Sequence, residues 1–140
     1  MKKLLEKFFS KRKEIKFAYL FGSLAKGKNN KLSDIDIAVF VDKKLIYEKK
    51  HSYGYKASLI TDLMSELNTD KIDLVILNEA TPLLAHRVIR DGILIYCKDD
   101  RARINFQVRT IHEYIDTEKI RRIQEKYLKE RIYSGKFARL

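Results

Sequence analysis

Hydrophobic and polar positions alternate between two periods along the chain. Leu4, Leu5, Phe8 and Phe9 recur at helical spacing and predict a helix within residues 2–13. Ile15 to Phe21 is β-branched and aromatic, which predicts a strand that stops at Gly22. Residues 22–33 hold two glycines, Asn29-Asn30 and Ser33, so they read as a turn. Ile35 to Val41 is apolar except for Asp36, the pattern of a largely buried strand. Residues 42–55 are polar and read as a loop.

A helical period returns at residues 56–68, where Ile60, Leu63, Met64 and Leu67 stand at i, i+3, i+4 and i+7. Asn68-Thr69-Asp70 ends it. Ile72 to Leu77 predicts a second buried strand carrying one acid, Asp73. Thr81 can cap a helix with Pro82 at its first position, running to about Arg90 and stopped by Asp91-Gly92. Ile93 to Tyr96 predicts a short strand. In the tail, Ile104, Val108, Ile111 and Ile115 step by 4, 3 and 4, and this seam is expected to dock on the sheet. Ile120, Ile123 and Tyr127 step by 3 and 4 beyond a break near Asp116-Thr117, so the tail reads as one bent helix or two. Apolar surface left over would serve a dimer or a partner interface.

The order α-β-turn-β-α-β-α-β-α implies an α/β (α+β) domain: a small mixed sheet with flanking helices and a C-terminal helical tail. The connection from Gly22 to Ser33 is too short for a crossover helix and favours an antiparallel pair. Residues 1–100 are expected to form the domain. Residues 101–140 are expected to extend it as helix, packed on the same domain or on a partner.

Composition narrows the function classes. A single cysteine, Cys97, rules out an internal disulfide, and with three scattered histidines it makes a zinc site improbable. No apolar run approaches the roughly 20 residues that span a bilayer, and charges interrupt Met1 to Lys16. The chain reads as cytoplasmic. The net charge is +11, basic in residues 1–50 and 101–140 and acidic between them. That excess attracts phosphate-bearing ligands or an acidic partner without saying which.

The candidate chemistry lies around the first turn. Asp34 and Asp36 are two apart on a predicted strand, so both carboxylates project from one face. An acid set among Ile35, Ile37, Ala38 and Val39 must be paired or metal-bound if it is buried. Asp73 reaches the same centre if its strand is a neighbour. Three carboxylates around two divalent cations suit displacement at phosphorus, and magnesium is the hard cation that takes its other ligands from phosphates and water. Gly22 lets backbone approach phosphate, and N–H groups of the turn with the Ser23 hydroxyl can hold a triphosphate. Lys26, Lys28 and Lys31 add charge to that loop. Gly22 to Asn29, GSLAKGKN, nearly matches a P-loop but lacks the final Ser or Thr, and a strand follows where a P-loop opens a helix.

Leu20-Phe21-Gly22-Ser23, Ala25 and Gly27, then Ser33-Asp34-Ile35-Asp36 together resemble the signature of the DNA polymerase β-like nucleotidyltransferase superfamily. The resemblance covers roughly residues 1–100, and Asp73 is similar to the family's third carboxylate. The chain is too short for the added domains of polymerases and resembles the minimal nucleotidyltransferases, in particular MntA-type antitoxins paired with a HEPN-domain ribonuclease toxin. The resemblance implies transfer of AMP from ATP to a tyrosine of that toxin. It implies that Asp34, Asp36 and Asp73 hold two magnesium ions, that Gly22 and Ser23 bind the nucleotide, and that Asp73 assists deprotonation of the acceptor.

Two other readings compete. An antitoxin working mainly by binding and masking its partner would need the basic tail more than the carboxylates. A small-molecule transferase of the aminoglycoside type usually carries a further acceptor domain. Direct nucleic-acid binding is less favoured, since the tyrosines lack stacking-platform spacing, and homo-oligomerisation is left open. Arg109 and His112 superficially resemble a HEPN ribonuclease motif, but their spacing is too short and His112 is expected on a solvated face. His86 and Cys97 are expected in surface and packing roles.

Overall fold

The four short apolar runs become strands of one sheet in the computed structural model, which describes residues 1–22, 34–47 and 54–133. Strand β1 is Ile15–Phe21, β2 is Ile35–Val41, β3 is Ile72–Ile76 and β4 is Ile93–Cys97. They lie in the order β3-β2-β1-β4. β1 is antiparallel to β2, as their short connection predicts, and also to β4, while β2 and β3 are parallel. A parallel pair needs a crossover, and helix α3, Tyr55–Leu67, lies within it.

Both faces of the sheet are covered, which is why the strands read as continuous apolar runs. On one face Ala18, Leu20, Ile37 and Val39 pack with Leu5 and Phe9 of helix α1, Lys2–Ser10, and with Leu59 and Leu63 of α3. On the other, Phe17, Tyr19, Phe21 and Ala38 pack with Ala85 and Val88 of helix α4, Pro82–Asp91, and with Phe106 of helix α5, Asp100–Tyr133. Phe17 and Phe40 stack at 4.9 Å, and Phe106 closes on them at 5.7 and 5.3 Å.

Local chemistry sets the helix ends. Asn68 takes the left-handed conformation that ends α3. The Thr81 hydroxyl accepts the Leu84 N–H at 3.3 Å, with Pro82 opening α4. Gly92 ends α4 for want of room: a Cβ there would stand 2.3 Å from the Val88 carbonyl oxygen.

Two expectations change, and the choice between one tail helix and two is settled. The loop expected over residues 42–55 contains a short helix, α2, Lys43–Tyr47. The Asp42 carboxylate accepts the Lys44 N–H at 3.0 Å, which starts that turn, and Ile46 packs on the core. The tail is one continuous helix through residue 133, and the Thr117 hydroxyl bonds back to the Tyr114 carbonyl at 2.8 Å instead of capping a new start. The seam expected to dock on the sheet does not: Ile104, Val108, Ile111 and Ile115 are 44–50% exposed. Phe106 and Thr110 are buried in its place. The sheet offers a pair of flat rings, and one phenyl ring fills the space beside them better than a row of β-branched chains.

Candidate active site

Strand register builds the site. Alternate residues of β2 share a face, so Asp36 projects with Ala38 and Phe40 toward α4 and α5. In the parallel pair Asp36 stands directly beside Asp73. In the antiparallel pair it stands opposite Phe21, the residue before Gly22. The structure thus brings Asp36, Asp73 and Gly22 to one edge of the sheet, with Asp34 just ahead of the β2 start.

Gly22 and Asp36 are in intimate contact. Gly22 has φ +75°, and a Cβ built on it would be 2.0 Å from Asp36 Oδ2. The carboxylate occupies space that any other residue's side chain would fill. Only glycine combines that backbone conformation with that approach.

Asp36 is half-buried, whereas Asp34 and Asp73 are exposed. Burial pushes the Asp36 carboxyl above its ordinary range, and the negative charges of Asp73 and then Asp34 push it further. Among the described residues none of the three carboxylates has an ion-pair partner. Crowded carboxylates are the donor chemistry of a hard divalent cation. No three His, Cys, Asp or Glu groups among the described residues close into a metal cage. A magnesium ion here would take one or two of these carboxylates and complete its shell with water and substrate phosphate. The residues present fit the ion on those terms.

Ser23, Lys26, Lys28, Lys31 and Ser33 lie outside the described residues. His112 is exposed on α5. His86 stacks on Tyr114 at 3.7 Å and 6°. The Cys97 thiol faces the Asp100 carboxylate at 3.4 Å, and burial raises its pKa, so it stays a protonated packing group at neutral pH.

The sequence did not reveal that the end of α4 belongs to the same edge. Ile93 pairs with Leu20, and a Cβ on Gly92 would lie 3.4 Å from the Leu20 carbonyl oxygen. Arg90 and Asp91, hydrogen-bonded to each other at 3.1 and 3.0 Å, therefore lead directly into the β4 end that pairs with the last turn-ward residues of β1. The signal was the Asp91-Gly92 stop just before β4, which gained meaning only from the β4–β1 pairing.

A small mixed sheet that sets Gly22 against a carboxylate, with a second on the adjacent strand, is the arrangement expected of a nucleotidyltransferase. The family model described as polymerase beta, nucleotidyltransferase, matches residues 3–101. The chain belongs to that nucleotidyltransferase family, among its minimal, MntA-type members. It is 32% identical over 123 residues to protein adenylyltransferase MntA of Aphanizomenon flos-aquae, a match that covers 86% of this chain and 82% of that one. It also resembles a chain from the crystal structure of a toxin-antitoxin with AMP-PNP, with a TM-score of 0.72 and 25% identity over 91% of this chain and 97% of the other. A chain from the complex of a tri-AMPylated Shewanella oneidensis HEPN toxin with its MNT antitoxin matches with a TM-score of 0.61 and 26% identity, covering 91% and 98%. The fold read from the sequence is borne out. Among the described residues no helix is long and apolar enough to cross a membrane.

Proposed function

We propose that this chain is the antitoxin of a cytoplasmic toxin–antitoxin pair and transfers AMP from ATP to a tyrosine of a HEPN-type toxin. The observation that carries the reading is Asp36, held against Gly22 and crowded by Asp73 and Asp34. The names of the similar proteins, an adenylyltransferase and a HEPN toxin carrying AMP groups, support the acceptor class.

Residues 1–100 act as the catalytic domain and residues 101–140 as its helical extension. Asp34, Asp36 and Asp73 would hold two magnesium ions together with the nucleotide. Bound magnesium would neutralise the phosphates and sharpen the electrophilic α-phosphorus. Backbone N–H groups at Gly22 and Ser23, with the Ser23 hydroxyl, bind triphosphate oxygens. Asp73, exposed at the edge, takes the proton of the incoming tyrosine hydroxyl. The tyrosine oxygen bonds to the α-phosphorus, the bond from that phosphorus to the oxygen leading to the β-phosphate breaks, and pyrophosphate leaves.

The test is incubation of the purified chain with α-labelled ATP, magnesium and the product of the adjacent gene. Label on a tyrosine of that protein is expected. Its absence with the wild-type chain, or equal labelling by Asp36→Ala, overturns the reading.

A further inference from the structure

We propose that the distal part of α5 is the docking element for the acceptor protein, and that it seats in an apolar groove rimmed by acidic side chains. This rests on the reading of the chain as a transferase whose acceptor is another protein.

The path of α5 supports the placement. The helix packs on the face of the sheet from which Asp36 and Asp73 project, since Phe106 joins the cluster of Phe17, Ala38 and Phe40. Its contacts then move along that face toward the catalytic edge. Phe106 meets Phe17, the Gln107 amide donates to the Tyr19 hydroxyl at 2.7 Å, and Tyr114 stacks on His86, one turn before Arg90 on α4. Arg90 is two residues from Gly92, which lies beside Leu20 at the edge that carries Gly22. A helix of 34 residues is about 50 Å long at 1.5 Å per residue, so more than half of α5 continues past its last buried residue, Thr110. A protein gripped by that length is tethered to the same end of the sheet as the carboxylates, with the Ile120–Tyr127 stripe about 9–20 Å beyond Tyr114 along the helix.

The surface of the distal length specifies what grips it. Every residue from Lys119 to Tyr133 is exposed. Ile120, Ile123 and Tyr127 nevertheless share one face at steps of 3 and 4, with exposures of 55–68%. An apolar stripe on an exposed helix calls for a covering surface. Between Lys119 and Tyr133 there are six basic side chains against two acidic. A second copy would bring this positive charge against itself, whereas an acidic rim complements it. Nucleic acid would answer the charge but leave the Ile120–Tyr127 stripe in water.

The experiment uses the full chain and, as acceptor, the full-length product of the adjacent gene. The variant Ile120→Ser/Ile123→Ser/Tyr127→Ser is expected to raise the acceptor Kd about 100-fold, because buried apolar anchors dominate such interfaces. Its KM for acceptor should rise in parallel, while its Kd for AMP-PNP and its circular dichroism stay those of wild type. Asp36→Asn should keep the acceptor Kd within about twofold. Acceptor binding by the triple variant at wild-type Kd overturns the proposal. So does failure of wild type to bind the acceptor, or a wild-type dimer in sedimentation that the triple variant dissolves. Binding that depends on the stripe without any AMP transfer keeps the docking surface and sinks the transferase reading. Equal transfer by wild type and triple variant does the reverse.

Discussion

A β-carbon on Gly22 would stand 2.0 Å from Oδ2 of Asp36, so the turn after β1 and the acid of β2 share one space. Gly22→Ala must either rotate the carboxylate away or lift the turn, and φ +75° adds about 1 kcal/mol of backbone strain. The expected outcome is a fall in AMP transfer of about 100-fold or more. A loss in stability of about 1–2 kcal/mol should accompany it. Initial rates with labelled ATP and urea unfolding check both.

The raised pKa of Asp36 makes a prediction in pH. Burial, then Asp73 and Asp34, favour its neutral form in the folded chain. Its contribution to stability is therefore complete below the unfolded value and is lost as pH rises through the higher folded value. Asp36→Asn stays neutral throughout and escapes that loss. In metal-free buffer at pH 7 its Tm should exceed wild type by roughly 2 °C, a small gain because solvent screens a half-buried group. The gain should vanish below about pH 4, where a carboxyl is already protonated. Millimolar magnesium with AMP-PNP should reverse the order by stabilising wild type alone.

Asp73 stands beside Asp36 but is the more exposed of the two. If it takes the acceptor proton, Asp73→Asn lowers kcat by about 10²–10⁴-fold. The Kd for AMP-PNP should change by less than about tenfold. Single-turnover transfer and nucleotide titration separate the two quantities.

The two apolar faces of α5 should differ sharply in stability. Phe106 is 4% exposed among Phe17 and Phe40, so Phe106→Ala should cost about 3–5 kcal/mol in urea unfolding. Ile111→Ser, on the exposed seam, should cost less than about 1 kcal/mol.

These contrasts mark how far the linear chain could be read. The β-branched runs, the Thr81-Pro82 helix start and the Asn68 stop were legible because they depend on neighbours within a few residues. The spacing from Gly22-Ser23 to Asp34-Ile35-Asp36 was legible for the same reason, since a short turn between two strands must return the chain to the same edge. Local reading expected Asp34 and Asp36 on one face of a strand, whereas β2 begins at Ile35 and leaves Asp34 just ahead of it. It could not bring in Asp73, 37 positions beyond Asp36, because that needed the parallel pairing of β2 and β3. It missed α2, whose start depends on one Asp42 side-chain bond.

The tail shows the limit most clearly. Ile104, Val108, Ile111 and Ile115 satisfy a helical period as well as Ala102, Phe106 and Thr110 do, and periodicity cannot choose between two faces of one helix. Phe17 and Phe40 chose, because they come from two strands and meet only once the sheet has formed. Periodicity and turn chemistry act between neighbours and so are written along the chain. Which apolar face is buried, and how closely Asp36 approaches Gly22, are set by surfaces that exist only after distant segments pack.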